Sequence, residues 1–123
     1  MAKILVVDDD PDVVDVARMI LEKEGHEVVS AGSREDGMKA VDEAQPDLLV
    51  LDCMMVEAND GMVMARDLRG AGFTKPILML SNINTITGMN VGKDEEIVPV
   101  DEFQEKPVEP EDFIAKVNNL LSR

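Results

Sequence analysis

Short apolar runs alternate along the chain with stretches whose apolar residues recur at helical spacing. Three runs are apolar at every position, residues 4–7, 48–51 and 77–80, and two weaker runs cover 28–29 and 97–100. A strand with one face in water would alternate apolar and polar residues, so unbroken runs predict strands buried on both faces of a parallel sheet. The pattern therefore predicts five strands separated by helices.

Capping residues mark where the first two helices begin. Asp10 is a good N-cap because Pro11 follows at the first helical position, and Gly25 stands just after the last turn. Ser33 with Asp36 three residues later is a variant of the capping box. These signals place one helix between the first two strands and another before the third.

Two more helices are predicted from apolar spacing, and one segment is weak. The third helix begins at Asn59 or Asp60, and the last begins after Pro110. Topology calls for a further helix within residues 84–96. That segment carries two glycines and several β-branched residues, which lower helix propensity, so we predict a short or irregular helix there.

Five strands joined by helices predict a doubly wound α/β fold, because right-handed crossovers place helices on both faces of a parallel sheet. The common order for such a five-stranded sheet is 2-1-3-4-5, and we expect that order here. We expect one domain over residues 1–123, since no linker, repeat or low-complexity tract interrupts the pattern. An output domain is accordingly not expected in this chain.

Polar side chains follow several of these strands at the point where each strand ends. Asp8 and Asp9 follow the first strand, Asp52 follows the third, Ser81 ends the fourth, and Lys106 follows the fifth. Ligands of open α/β sheets bind at the carboxyl ends of the strands. The predicted order therefore brings carboxylates, a hydroxyl and an ammonium group to one rim of the sheet.

The repulsion between such close carboxylates must be relieved by protonation or by a cation. Two of them 4 Å apart repel by about 4 kcal/mol at an effective dielectric constant of about 20. Mg²⁺, or another divalent ion such as Mn²⁺, fits best because it binds one or two carboxylates and bridges to substrate phosphate. A carboxylate beside such an ion can accept a phosphoryl group, with Lys106 and Ser81 stabilising the transferred oxygens.

The sequence resembles the response-regulator receiver family, in particular its CheY-like single-domain members. The resemblance spans the whole chain and is carried by residues 3–9 (KILVVDD), Leu51-Asp52 with Met54-Met55, Asp60-Gly61, Ser81, and Phe103 three residues before Lys106-Pro107. It implies that Asp52 is the phosphoacceptor. It also implies that Mg²⁺ is held by Asp8, Asp9, Asp52 and the backbone carbonyl of Met54.

The same resemblance implies a switch that reads the phosphoryl group. Ser81 and Lys106 correspond to the phosphate-sensing hydroxyl and lysine of the family, and Phe103 to the switch aromatic. In this family the aromatic turns inward when the hydroxyl moves toward the phosphoryl group. The output surface would be built from the predicted fourth helix, the fifth strand and the last helix.

Partners follow partly from the resemblance and partly from charge. The resemblance implies a histidine kinase or phosphotransfer protein as donor, and an unknown downstream protein as the receiver of the signal. A formal net charge of −14 argues against direct binding of nucleic acid and of anionic membranes. The single cysteine suits a reducing cytoplasm. We expect a monomer or weak dimer that catalyses its own phosphoryl transfer and slow autodephosphorylation, and is not an enzyme on an external substrate.

A phosphorylation-independent interaction module of the same shape is the main alternative. Val56 stands where the family usually has proline, Asn82 replaces a small residue, and two segments are longer than usual. Phosphatases and flavodoxins of similar architecture fit less well. A flavodoxin would need a phosphate-binding loop after the first strand, where this chain has three aspartates that repel phosphate.

Overall fold

A computed structural model of the chain describes residues 2–52, 60–81, 100–105 and 109–122. Strands and helices alternate through residues 2–81 as predicted, and a strand and a helix follow within 100–105 and 109–122. The strands are β1 (Lys3–Val7), β2 (Glu27–Ala31), β3 (Leu48–Asp52), β4 (Ile77–Ser81) and β5 (Glu102–Glu105). The helices are α1 (Pro11–Lys23), α2 (Arg34–Ala44), α3 (Asp60–Gly70) and α4 (Pro110–Leu121).

All five strands pair in parallel, in the order β2-β1-β3-β4-β5, which confirms the predicted fold. Ile4 and Val6 face a core covered by α1 and α4. Leu5 and Val7 face a second core covered by α2 and α3. Because helices cover both faces, residues 4–7, 48–51 and 77–80 of the inner strands are all buried, which is why these runs are apolar at each position.

The predicted caps are confirmed at the first two helices. The Asp10 side chain accepts a hydrogen bond from the backbone N–H of Asp12 at 2.9 Å, and Ser33 accepts one from Asp36 at 3.1 Å. Gly25 follows α1 with φ of 90°, a conformation that favours glycine. None of the helices in the described ranges is long and apolar enough to cross a membrane.

The last strand differs from the sequence prediction. The strand ends directly before Lys106, as predicted, but it begins only at Glu102 and so leaves out the apolar run at 97–100. Val100, the last residue of that run, packs against the core under α2 and α3. The rest of that run, and the helix predicted within residues 84–96, lie outside the described residues. β5 is an edge strand paired with β4 alone, so its backbone bonds can define it without a continuous apolar sequence.

Candidate functional site

Three aspartates converge at the carboxyl ends of the two central strands. β1 and β3 are neighbours, with Val7 paired to Leu51, so Asp8 directly after β1 lies beside Asp52 at the end of β3. Asp9 follows in the chain, and one carboxylate oxygen from each of Asp8, Asp9 and Asp52 lies within 4.8 Å of the others. The strand order thus produces the acidic cluster that the sequence predicted at this rim.

The three carboxylates sit in different surroundings. Asp8 is 1% exposed and Asp52 is 3% exposed, whereas Asp9 is exposed to solvent. The backbone N–H of Asp8 donates to Ala31 at 3.1 Å, and Asp8 Oδ1 accepts a hydrogen bond from the backbone N–H of Asp10 at 2.9 Å. These bonds hold the turn between β1 and α1, so the cluster has two buried members on a fixed backbone and one open to water.

The donor set fits a hard divalent cation. At 4.8 Å two unit charges repel by about 3.5 kcal/mol when the effective dielectric constant is about 20. Oxygen ligands of an octahedral Mg²⁺ at about 2.1 Å lie up to roughly 4.2 Å apart, so small side-chain adjustments suffice. Mg²⁺ also keeps water ligands, which the exposed side of Asp9 can accommodate. The cluster therefore has the chemistry and dimensions of a magnesium site.

The carboxylate cluster cannot be identified from the size of the cavity beside it. The depression beside Asp8 and Asp9 has a volume of about 250 Å³ and is lined on its far side by Ser30 and Gly32. A larger open groove of about 820 Å³ lies at the opposite edge, where the strands begin, and is lined by His26 among others. We place the chemistry at the carboxylate cluster because Asp8, Asp9 and Asp52 converge there. Of these three residues, Asp8 and Asp9 also line the smaller depression.

The remaining predicted site residues are only partly within the described structure. Ser81 ends β4, and Phe103 lies on β5 paired with Met79, but the structure describes neither of these two side chains. Ser81 is the residue after Leu80, which pairs with Asp52, so its backbone stands next to the end of β3. Lys106 and Met54 lie outside the described residues. Their assigned roles remain predictions.

One ion pair was not anticipated from the sequence. Arg69, in the last turn of α3, approaches Asp101 Oδ2 to 2.8 Å, just before β5 begins. Neither residue belongs to an apolar periodic pattern or to a motif, so spacing rules predict no contact for either. The available signal is positional: Asp47 stands immediately before β3, and Asp101 stands immediately before β5.

Comparison with known proteins places the whole chain in one family. The family model of the response regulator receiver domain matches residues 4–118. The alkaline phosphatase synthesis transcriptional regulatory protein PhoP of Bacillus subtilis is 33% identical over 125 residues, which cover 98% of this chain. The matched region is 49% of PhoP, so the chain spans about half the length of this curated relative.

Solved structures agree in fold over nearly the full chain. A putative response regulator from Chloroflexus aurantiacus superposes with a TM-score of 0.87 at 29% identity, covering 99% of this chain and 98% of that protein. The chemotaxis protein CheY4 of Vibrio cholerae has a TM-score of 0.85 at 23% identity and covers 98% of both chains. At 23% identity, the similarity to CheY4 supports the fold alone.

Proposed function

The chain belongs to the response regulator receiver domain family, and from that premise we propose that it accepts a phosphoryl group on Asp52 in a magnesium-dependent reaction. Receiver domains of this family belong to two-component systems and are phosphorylated by histidine kinases. The observation that carries the proposal for this chain is the cluster of Asp8, Asp9 and Asp52 at the ends of two adjacent strands.

In this proposal Asp8, Asp9 and Asp52 hold Mg²⁺, with the backbone carbonyl of Met54 as a further ligand. The bound ion would offset the crowded negative charge and that of the incoming phosphoryl oxygens. Asp52 is 3% exposed at the end of a buried strand, so its carboxylate has little room to change direction. A fixed acceptor oxygen favours in-line attack on phosphorus.

The acceptor reaction uses a carboxylate oxygen of Asp52 as the nucleophile. A new O–P bond forms on Asp52 while the P–N bond of a phosphohistidine donor breaks, and the imidazole leaves with the electron pair. Lys106 supplies a fixed positive charge and Ser81 a hydroxyl donor for the transferred oxygens. Slow autodephosphorylation then resets the domain, with Phe103 changing position between the two states.

The signal leaves through a protein partner. We propose that residues 1–123 act as one receiver domain in the cytoplasm, phosphorylated by a histidine kinase or a phosphotransfer protein. A downstream protein then recognises the surface changed by phosphorylation. The net charge of −14 supports a protein partner with a basic contact surface over direct binding to nucleic acid.

The test is incubation with acetyl phosphate and Mg²⁺, followed by intact mass measurement. The wild-type chain should gain the mass of one phosphoryl group, and Asp52→Asn should gain none. Asp10→Asn is the matched control, because asparagine also caps helices and Asp10 lies outside the carboxylate cluster. No adduct on the wild-type chain, or an unchanged adduct on Asp52→Asn, would disprove the proposal.

A further inference from the structure

Asp101 joins β5 to β4 through both its backbone and its side chain. Its backbone N–H donates to the carbonyl of Ile77 at 2.9 Å, and its Oδ2 accepts a hydrogen bond from the backbone N–H of Ile77 at 2.8 Å. Ile77 is the first residue of β4, and Asp101 stands one residue before β5. The carboxylate thus acts as the acceptor for the first N–H of the neighbouring strand.

Arg69 fixes the direction of that carboxylate. One guanidinium nitrogen donates to Asp101 Oδ2 at 2.8 Å, and the other donates to the carbonyls of Phe73 and Lys75 at 2.9 and 2.8 Å. The side chains of Arg69 and Asp101 are 27% and 28% exposed. A planar guanidinium held at three oxygens has little freedom, so Asp101 is anchored to α3 and to the loop that follows it.

β5 needs such an anchor because its own sequence specifies register weakly. Its residues are Glu-Phe-Gln-Glu, with a single apolar side chain, and it pairs with β4 alone. A slip of one residue would turn the buried Gln104 to the other face, but a slip of two would preserve the faces. A two-residue slip moves the strand by about 6.6 Å.

The register of β5 determines where the chain leaves the sheet near the acidic cluster. Leu80 pairs with Asp52 on one side and with Gln104 on the other, and Ser81 pairs with Glu105. Lys106 is the next residue in the chain after Glu105. A slipped β5 would therefore shift the start of the Lys106 segment relative to Asp52 by several ångströms.

We propose that Asp101, held by Arg69, is a positioning residue that sets the register of β5 and thereby the point beside Asp52 at which the chain leaves the sheet toward Lys106. The proposal rests on the proposed function for its consequence in phosphorylation. Its structural part, the control of register, stands on the contacts among Arg69, Asp101 and Ile77. Neither Asp101 nor Arg69 touches the reacting atoms.

The chain offers a closely matched control at the same edge of the sheet. Asp47 stands before β3, its backbone N–H donates to the carbonyl of Lys3 at 2.7 Å, and its Oδ2 accepts from the N–H of Lys3 at 2.9 Å. The bonding pattern is the same as that of Asp101 with Ile77. β1 and β3 are inner strands with buried apolar residues at nearly every position, so their register does not depend on one carboxylate.

The experiment compares Asp101→Ala with Asp47→Ala in three measurements. These are Mg²⁺ affinity, the rate of phosphorylation by acetyl phosphate, and cross-strand contacts and amide exchange of β4 and β5 by NMR. Asp101→Ala should lose at least about tenfold in phosphorylation rate, because misplacement of a reacting group by 1 Å can cost about 100-fold. Its Mg²⁺ affinity should stay within about twofold, since the acidic cluster comes from β1 and β3.

Two milder variants separate positioning from a general loss of stability. Asp101→Asn keeps an oxygen acceptor for the Ile77 N–H and should recover most of the rate. Arg69→Gln leaves the Asp101 carboxylate in place without its cation and should give an intermediate rate. Asp47→Ala should phosphorylate at the wild-type rate. If Asp101→Ala does not fold, the phosphorylation rates of these variants still test the proposal.

Each outcome has a defined meaning. A rate within twofold of wild type for Asp101→Ala, or for Arg69→Gln if Asp101→Ala does not fold, overturns the proposal. An equal loss of rate in Asp47→Ala does so too, because stability alone would then explain it. If the wild-type chain accepts no phosphoryl group, the proposed function fails. The register is then judged by NMR alone, where unchanged β4–β5 contacts in Asp101→Ala would refute its structural part.

Discussion

Three consecutive residues of one type have three different environments at the end of β1. Asp8 is buried and accepts a backbone hydrogen bond, Asp9 is exposed, and Asp10 caps α1. The differences arise from position, since the strand ends at Val7 and Pro11 opens the helix. The capping role of Asp10 could be predicted from Pro11, and the convergence of Asp8 with Asp52 from the adjacency of strands 1 and 3.

At this scale, neutralising Asp9 should stabilise the metal-free protein. Asp9→Asn removes the exposed charge of the cluster, so we expect the free energy of unfolding to rise by about 0.5–1 kcal/mol after solvent screening. The gain in stability on adding Mg²⁺ should be smaller than in wild type, because a ligand is lost. Urea unfolding with EDTA and with Mg²⁺ measures both quantities.

Asp10→Asn again serves as the comparison, because it removes a charge of the same sign from the adjacent residue. Its stability with EDTA should change less than that of Asp9→Asn, and its response to Mg²⁺ should match wild type. Equal behaviour of the two variants would mean that the carboxylates of the cluster do not act together.

At the scale of elements, α2 packs against the sheet at its closest through Gly37. A Cβ at this position would lie 2.9 Å from Met64 Cε and 3.0 Å from Val7 Cγ1. Gly37 lies on the buried face of α2, one helical turn before the buried Val41. The closeness of the approach could not be predicted, because it depends on how far α3 places the Met64 side chain under α2.

Gly37→Ala should therefore destabilise the protein although alanine favours helices. Met64 Cε ends a flexible side chain and can move away, whereas both Val7 methyl groups belong to a buried, β-branched side chain of β1. Overpacking against Val7 costs about 1–3 kcal/mol, and a helix-propensity gain of about 1 kcal/mol offsets part of it, so we expect a net loss of up to about 2 kcal/mol. Gly70→Ala, in the last position of α3, is the matched control, since a Cβ there meets nothing within 4 Å. Chemical unfolding of both variants measures the difference. A Gly37→Ala protein as stable as Gly70→Ala would show that this contact is loose.

The inner strands of the sheet could be predicted from the sequence more completely than the edge strand β5. Inner strands are predicted well because burial on both faces demands apolar residues throughout. The end of β5 before Lys106 was predicted, but its start was placed too early, at the apolar run 97–100, since an edge strand is defined by backbone pairing that leaves little trace in its sequence. The contacts of Arg69 and Asp101 were missed for a related reason. They join the two side chains to each other and to backbone atoms, and such contacts have no period.

For the whole molecule, the dominant feature is an excess of acidic residues. The chain has 26 Asp and Glu against 12 Lys and Arg. Such a charge opposes the compact state through self-repulsion and keeps the protein soluble. Salt shortens the Debye length from about 30 Å at 0.01 M to about 8 Å at 0.15 M, so distant charges cease to interact.

KCl should therefore raise the thermal midpoint of the protein. Between 0.01 and 0.15 M with EDTA present, we expect an increase of a few degrees, since about 1 kcal/mol shifts the midpoint of a domain this size by roughly 4 °C. EDTA excludes a contribution from divalent ions at the acidic cluster. A midpoint that stays constant or falls with KCl would indicate that local ion pairs, such as Arg69 with Asp101, outweigh the net charge.

The strand order has a consequence for synthesis on the ribosome. The three-stranded part β2-β1-β3 is complete once residue 52 has emerged, so a nascent chain can bring Asp8 and Asp52 together before β4 exists. Until Ile77–Ser81 is made, the open flank of β3 exposes a row of unpaired backbone groups flanked by leucine and valine side chains. Such a flank invites pairing with other unfinished chains. The carboxylates at the end of this strand pair repel those of a second copy, which opposes such pairing.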